Sequence, residues 1–195
     1  MRNRKIILAS QSVIRAQMLR EAGLRFETRP ANIDEQIIKS KWLSSPSGEL
    51  ALQLSDAKAA LISKKYPDAL VISSDQIGLF QEKLLNKLNS TSESYQQLLR
   101  LRDRRHKLIT ATSLYLKNEC LWHTYQTVTL QMKWLSEADI ALYIKRDQPV
   151  NTIGGYYYEQ NGKDLFVKID GSTDTILGLE RELLLTYFRA NSIFV

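Results

Sequence analysis

A chain of 195 residues, 44% of them hydrophobic, is long enough to bury one large core or the core of two lobes that share a sheet. After the basic residues 1–5, the apolar run covers only residues 6–9, which is too short for a signal peptide or a membrane span. We therefore expect a cytoplasmic protein without a membrane partner. The single cysteine, Cys120, excludes an internal disulfide and a cysteine-rich metal site, and we expect it to be a buried or edge thiol.

The formal net charge of +6 predicts an anionic partner, which nucleic acid, a membrane surface or a nucleotide phosphate would each satisfy. The densest basic cluster runs from Arg100 to Lys107, where a predicted helix ends and a strand begins. Because the helix dipole favours cations at a C-terminus, a solvated helix end is the simpler interpretation of this cluster. A non-catalytic nucleic-acid-binding protein stays open as an alternative.

Residues 5–9 predict a first strand, and the turn Ser10-Gln11-Ser12 leads from it into a helix that Gly23 ends. The turn leaves backbone N–H groups and both serine hydroxyls at the helix N-terminus, with Arg15 one turn further along. A helix terminus of this kind is a ready anion site. Simple N-capping by the serines, with a surface arginine behind them, explains the same residues equally well.

Two adjacent acids, Asp34 and Glu35, follow Pro30 in a turn-like setting. Paired carboxylates bind Mg²⁺ when they face a phosphate site and are solvated loop charges otherwise. A long helix then begins near Pro46, and Lys58 lies at the edge of its apolar stripe, where the stem is buried and the ammonium is aimed at a cleft. The stripe consists of Leu50, Leu54, Ala57 and Leu61.

Residues 71–74 predict a buried strand that delivers Asp75 to its carboxyl end, because a run of apolar and small residues leads directly into the acid. Open α/β sheets bind their ligands at the carboxyl ends of strands. The alternative is that Asp75 only begins a turn before Gly78. The choice depends on whether other charged residues converge on Asp75.

The second half of the chain alternates between predicted strands and helices. Residues 128, 130, 132 and 134 are apolar and alternate with polar neighbours, which is typical of a half-buried strand in an antiparallel or mixed sheet. We also expect a hairpin over 79–85, helices after Ser90 and Ser136 and over 183–189, strands over 107–116 and 165–169, and loops over 151–162 and 171–178. Because the chain has no internal repeat and no long linker, we expect a single domain over residues 1–195.

Seven short motifs follow one another along the chain. They are Leu8-Ala9-Ser10-Gln11-Ser12-x-x-Arg15, Ile33-Asp34-Glu35, Ala57-Lys58-Ala59, Ser74-Asp75-Gln76, Lys87, Gly154-Gly155-Tyr156 and Gly171-x-x-x-x-x-x-Gly178-Leu179. The ordered set resembles the Maf family of nucleoside triphosphate pyrophosphatases. The resemblance implies a mixed α/β, Maf/ITPase-like fold with an elongated sheet, two lobes and a nucleotide cleft between them. It also implies a divalent metal ion, Mg²⁺ or Mn²⁺, and a homodimer that binds no nucleic acid polymer.

Carried over position by position, the resemblance makes Asp75 the general base that activates water and, together with Glu35, a metal ligand. It assigns phosphate binding to Ser10 and Arg15, and stabilisation of the leaving pyrophosphate to Lys58 and Lys87. These residue types suit the chemistry, because phosphoryl transfer needs cations, a metal and an oriented nucleophile rather than covalent help from the protein.

Two branches of the family differ in the residues that this resemblance places near the base. The dTTP/UTP pyrophosphatases keep both arginines of the first turn, a threonine after the catalytic acid and a glutamine in the aromatic-glycine loop. The branch that acts on 7-methyl-GTP lacks the first arginine and has glutamine and glutamate at the other two places. This chain has Ile14, Gln76 and Glu159, so we expect 7-methyl-GTP, with dTTP or UTP as the alternative.

Guanine gives this expectation a physical basis. It presents two neighbouring N–H donors, and a carboxylate such as Glu159 accepts both while attracting the cationic 7-methyl ring. The tyrosines at 156–158 offer a stacking face, although core packing explains at least one of them. The chain departs from the family pattern where Val13 and Ile14 replace a proline and an arginine. A retained fold with decayed activity is therefore a third interpretation, against which the intact charged residues argue.

Overall fold

A computed structural model describes residues 4–42 and 46–193 of the chain. The start of the basic N-terminus, residues 1–3, lies outside this range. The chain divides into two compact units. The first unit draws on residues 1–76, 110–126 and 173–195, and the second on residues 77–109 and 127–172. The expectation of a single Maf-like domain stays a prediction, as do the two lobes and the cleft between them.

The strands form one mixed sheet, which confirms the predicted α/β class. They are β1 (Ile6–Leu8), β2 (Glu27–Thr28), β3 (Leu70–Phe80), β4 (Lys83–Leu84), β5 (Arg105–Leu116), β6 (Glu119–Met132) and β7 (Phe166–Asp170). Their order across the sheet is β2-β1-β3-β5-β6-β7, with β4 paired to β3. Strand β1 runs parallel to β2 and β3, whereas the pairs β3–β4 and β6–β7 are antiparallel.

The helices separate most of these strands along the chain. They are α1 (Val13–Glu21), α2 (Glu35–Ser40), α3 (Gly48–Lys65), α4 (Thr91–Leu101), α5 (Glu137–Asp147), α6 (Thr173–Leu177) and α7 (Arg181–Ala190), with a short 3₁₀ helix at Gly162–Leu165. Among the residues that the structure describes, no helix combines the length and the apolarity that crossing a bilayer requires. The cytoplasmic location stays a prediction.

The core of the first unit lies on both faces of β1 and β3. Ile6 and Leu8 belong to a cluster with side chains from α1 and α7, whereas Ile7 packs with Val71 and with Ala59 of α3. This division follows from strand geometry, because successive side chains point to opposite faces. A strand covered on both faces is apolar at every position, which explains the unbroken apolar run at the start of β3.

Helix α3 turns a different face to the core from the one that its leucines predict. Ala57 and Leu61 are only half-buried, whereas Ala59 and Ile62 are fully covered. The buried face includes two serines, Ser55 and Ser63, which a search for apolar residues overlooks. The predicted stripe is therefore wrong in its second half, but Lys58 still lies at the edge of the buried face.

In the second unit, the predicted alternation of β6 holds as far as its last residue. Val128, Leu130 and Met132 are buried. Trp134 is 69% exposed, because the strand ends at Met132 and the period-two rule no longer applies beyond it. The predicted hairpin is confirmed by the antiparallel pairing of β3 with β4.

The basic cluster of the second unit lies where it was expected, between the end of α4 and the start of β5. Several of its members contact protein groups. Arg105 donates from Nε to Gln131 at 3.0 Å, and Lys107 pairs with Glu82 at 3.0 Å. Two of its cations therefore have protein partners, and the simpler interpretation of a solvated helix end stays a prediction.

Candidate active site

The turn after β1 is organised by its two serines. Ser12 is the N-cap of α1, and its hydroxyl accepts a hydrogen bond from the Arg15 backbone N–H at 3.3 Å. The Ser10 hydroxyl accepts from the backbone N–H of Ser12 at 3.1 Å and is almost fully buried. The predicted N-capping of α1 by Ser12 is therefore confirmed, and it fixes the position of the predicted anion-binding residues at the start of the helix.

The Arg15 side chain crosses from α1 to two other segments of the first unit. Its Nε donates to the Gly178 carbonyl oxygen at 2.6 Å, and one terminal nitrogen donates to the Ser74 carbonyl oxygen at 2.8 Å. The same nitrogen lies 3.4 Å from the Ser10 hydroxyl. Three acceptors thus hold the planar guanidinium in one orientation, which an ammonium group could not match.

Gly178 makes room for this arrangement. Its φ of +87° is a conformation that residues with a side chain rarely adopt, and a Cβ there would lie 3.2 Å from an Arg15 terminal nitrogen. The Gly178 carbonyl oxygen also accepts from the Ser74 hydroxyl at 2.8 Å. The motif containing Gly178 therefore shapes the site through its backbone.

Asp75 lies in the middle of β3, so the prediction that it ends the strand is wrong. The strand continues because the polar residues around Asp75 find buried partners. Gln76, the next residue, donates from its amide nitrogen to the Thr110 hydroxyl at 3.0 Å and to the Thr175 carbonyl oxygen at 2.7 Å. The alternative that Asp75 begins a turn is excluded by the same observation.

Lys58 joins the two predicted acidic residues. Its ammonium contacts Asp75 Oδ1 and lies 2.7 Å from Glu35 Oε1. The second Glu35 oxygen is 2.7 Å from the Lys39 ammonium, one turn along α2. The residues of this group, called the charge cluster below, are Arg15, Glu35, Lys39, Lys58 and Asp75.

Burial and neighbouring charges have opposing effects on the pKa values of Asp75, Lys58 and Glu35. Burial raises the pKa of Asp75 above its ordinary value, and the positive charges of Lys58 and Arg15 counteract that rise. Burial acts against the charged form of Lys58 as well, but the two carboxylates bring its pKa above the ordinary value. Although burial acts to raise the pKa of Glu35, the hydrogen bonds from Lys39 and Lys58 lower it to about 2. Glu35 is therefore ionised at any physiological pH.

The charge cluster fits an anionic ligand and a divalent metal ion. Its three cations outnumber its two carboxylates. The Lys58 ammonium already occupies a bridging position between two hard carboxylate oxygens, and oxygens of this kind are the ligands that Mg²⁺ and Mn²⁺ prefer. Glu35 and Asp75 are thus the residues that would hold such an ion.

The remaining predicted residues differ in their surroundings. Ile14 is half-buried and packs against the apolar cluster of the first unit. Lys87 lines a cleft of about 550 Å³ in the second unit, together with Glu93 and Arg100. Glu159 is exposed in the second unit. Lys87 and Glu159 belong to the second unit and the charge cluster to the first, and the roles of Lys87 and Glu159 stay predictions.

The tyrosines of the glycine loop are partly structural. Tyr156 is buried, and its hydroxyl lies 2.8 Å from His106 Nε2. The Tyr157 hydroxyl donates to the Val150 carbonyl oxygen at 2.8 Å. Core packing therefore accounts for Tyr156, as the sequence suggested. The Tyr157 side chain is held by its hydrogen bond to the Val150 backbone.

Two residues of the site were given no role in the sequence analysis. Lys39 pairs with Glu35 at the i, i+4 spacing of a helix, and this spacing is a signal that could have identified it. Ser74 connects Arg15 and Gly178 through its backbone and its hydroxyl. Ser74 lies in one of the seven motifs, but its role could not be inferred from the sequence because its partners are 59 and 104 residues away.

The fold and the charge cluster define a mixed α/β protein with a buried acid held among cations, suited to anionic ligands. The family model described as Maf-like protein matches residues 5–191, and the chain belongs to the Maf family.

Three relatives are each named nucleoside triphosphate pyrophosphatase. The protein of Legionella pneumophila (strain Corby) is 34% identical over 92% of this chain and 90% of its own. That of Ruegeria sp. (strain TM1040) is 35% identical over 96% of both chains, and that of Rhodopseudomonas palustris (strain BisB18) is 36% identical over 94% of this chain and 92% of its own. The solved Staphylococcus aureus Ham1 protein has a TM-score of 0.50 at 14% identity, covering 96% of this chain and 100% of that one, and supports the fold alone.

Proposed function

We propose that this chain hydrolyses a nucleoside triphosphate to the monophosphate and pyrophosphate. The observation that carries the proposal is the charge cluster, in which Asp75 is buried beside Lys58 and Arg15. Membership of the Maf family and the name shared by the relatives support the reaction class. A homodimer stays a prediction from the family resemblance.

In the proposed reaction, Asp75 accepts a proton from a water molecule that attacks the α-phosphorus. The anhydride bond between the α- and β-phosphates breaks, and pyrophosphate leaves. A carboxylate with a raised pKa is a better base near neutral pH than an ordinary aspartate. Arg15 and Lys58 stabilise the phosphate charge, with Ser10 at the turn as a further ligand, and the role of Lys87 stays a prediction from the family resemblance. A divalent ion held by Glu35 and Asp75 would supply neutralisation of the phosphate oxygens.

For the substrate, we propose 7-methyl-GTP. The Ile14 side chain offers the nucleobase neither a charge nor an amide group. This fits the 7-methyl-GTP branch of the family, which lacks the first arginine. The exposed Glu159 carboxylate is suited to accept the two adjacent N–H donors of a guanine. The alternative, dTTP or UTP, offers one donor between two acceptors and is better matched by an amide side chain.

Steady-state hydrolysis of a nucleotide panel tests both levels of the proposal. The panel contains 7-methyl-GTP, GTP, UTP and dTTP with Mg²⁺ or Mn²⁺, and the readouts are released pyrophosphate and the nucleoside monophosphate. We expect 7-methyl-GTP to have the highest kcat/KM. Equal values for 7-methyl-GTP and UTP would contradict the substrate assignment but leave the reaction class intact, whereas no pyrophosphate from any nucleotide would contradict the reaction class.

Glu159→Gln tests the base-recognition argument directly. Loss of one charge-assisted acceptor should lower kcat/KM for 7-methyl-GTP by about tenfold, the equivalent of ~1.4 kcal/mol, and should leave UTP hydrolysis unchanged or faster. Asp164→Asn is the matched control, because Asp164 is an exposed acid of the same segment. Equal losses on both nucleotides, or a similar change in the control, would remove Glu159 from base recognition.

A further inference from the structure

Three side chains of different chemistry meet on the first unit, and none of them belongs to the charge cluster. Asp56 comes from α3, and Cys120 and His123 come from the start of β6. Each offers one ligand atom, and these atoms all lie within 4.8 Å of one another. The Cys120 thiol is exposed, so of the expected alternatives, a buried or an edge thiol, the buried one is wrong; Cys120 is the second residue of β6.

The carboxylate of this group is held in place by its neighbours. Asp56 Oδ1 accepts from the Ser113 hydroxyl at 2.6 Å, and Ser113 lies 2.8 Å from the buried Ser55 hydroxyl. Asp56 Oδ2 lies 3.0 Å from His123 Nδ1. Partners of this kind orient ligating side chains in metal sites.

We propose that Asp56, Cys120 and His123 bind a zinc-type transition-metal ion. A thiolate, an imidazole and a carboxylate are the ligands of Zn²⁺, and soft sulfur selects against Mg²⁺ and Mn²⁺. Bond lengths of about 2.0–2.3 Å in a tetrahedron separate ligand atoms by roughly 3.3–3.8 Å. The separations of at most 4.8 Å therefore need only side-chain rotation to close around an ion.

This site differs from the charge cluster in the ion that it selects. Glu35 and Asp75 offer only oxygen atoms, whereas Asp56, Cys120 and His123 offer oxygen, sulfur and nitrogen. Three protein ligands leave a fourth tetrahedral position for water, which the exposure of Cys120 and His123 permits. The two sites are therefore distinguishable by spectroscopy.

The test uses the chelator-treated, reduced protein titrated with Co²⁺ as a spectroscopic probe for Zn²⁺. We expect a thiolate-to-cobalt charge-transfer band in the near ultraviolet that saturates at one ion per chain and disappears when Zn²⁺ is added. Cys120→Ser should abolish the band, and His123→Asn and Asp56→Asn should each weaken Co²⁺ binding at least tenfold. Zn²⁺ should raise the Tm of the wild type but not of Cys120→Ser.

Two control variants make the outcome decisive. Glu119→Gln removes an exposed carboxylate beside Cys120 and should keep the band, as should Glu35→Gln, which alters the charge cluster. A wild-type protein without the band would overturn the proposal. So would a band that survives in His123→Asn and Asp56→Asn with unchanged affinity, because the cysteine would then bind alone. Thermal unfolding in the absence of metal checks that each variant is folded.

Discussion

Two carboxylates of the first unit are buried to a similar depth but lie in opposite electrostatic surroundings. Asp75 is 6% exposed and Glu180 is 2% exposed. Asp75 faces the cations Lys58 and Arg15. Glu180 has one oxygen, Oε1, without a hydrogen-bond partner among the described residues. The charge that acts on its pKa is that of another acid, Asp174.

The difference shows that neighbouring cations, more than the extent of burial, decide whether a buried acid can be ionised. Burial raises the pKa of Glu180 to about 7, with a smaller contribution from the charge of Asp174 in the same direction. At neutral pH, Glu180 is therefore ionised in only part of the molecules. The cations around Asp75 supply what Glu180 lacks, and they let a carboxylate remain charged where a reaction needs it.

The largest effect that tests this contrast is on catalysis. Asp75→Asn should lower kcat by about 10²- to 10⁴-fold, because an amide cannot accept the proton from water. Nucleotide binding, measured by calorimetry, should persist. Glu180→Gln is the comparison variant and should keep kcat within about twofold, because the proposed mechanism assigns no role to Glu180. An Asp75→Asn protein that turns over normally would show that another group is the base.

The next effect is on stability. Lys58→Met removes the cation between Asp75 and Glu35 and leaves the buried Asp75 carboxylate without its ion-pair partner, which should cost about 3 kcal/mol in the free energy of unfolding. Lys64→Met on the exposed face of the same helix is the matched control and should change the free energy by less than about 0.5 kcal/mol. The free energies are measured by urea unfolding. Equal small changes in both variants would mean that solvent, and not Lys58, stabilises the negative charge of Asp75.

The smallest effect concerns Glu180 and depends on pH. Its folded-state pKa of about 7 lies above the ordinary value of 4.5, so the folded protein holds a proton that the unfolded chain loses as the pH rises between these values. Glu180 therefore lowers the free energy of unfolding progressively over that interval. Glu180→Gln should be more stable than the wild type by about 2–3 kcal/mol at about pH 8 and equally stable at about pH 4.

The exposed neighbour Glu182 provides the control for this measurement. Glu182→Gln should shift the urea midpoint by the same small amount at both pH values, because the Glu182 side chain is exposed and substitutions at exposed positions change stability little. If Glu180→Gln were no more stable than the wild type at the higher pH, Glu180 would have to find a compensating partner when ionised.

Local signals in the sequence were sufficient for much of the fold. The alternation at Val128, Leu130 and Met132 identified a strand of a mixed sheet, and the edge position of Lys58 on α3 placed its ammonium correctly. These features depend on neighbours within one or two turns of the chain. The residue types at Asp75 and Glu35 likewise indicated a charged site before any contact was known.

The rest depends on contacts between distant parts of the chain. The strand continues past Asp75 because Gln76 finds an acceptor at Thr175, 99 residues away. The predicted loop over residues 171–178 contains α6, a helix of five residues that is too short to show a period. The proximity of Asp56 to Cys120 and His123 also arises only when α3 packs near β6. None of these contacts has a local signature.

The mid-strand position of Asp75 has a consequence for how the protein would fail on heating. A reactive group on a loop can lose its alignment while the remainder of a molecule stays intact, since loops open at low free-energy cost. Asp75 instead belongs to an interior strand of the sheet, between β1 and β5 in the strand order. Its alignment should therefore persist until the sheet itself melts, and inactivation should coincide with cooperative unfolding instead of preceding it.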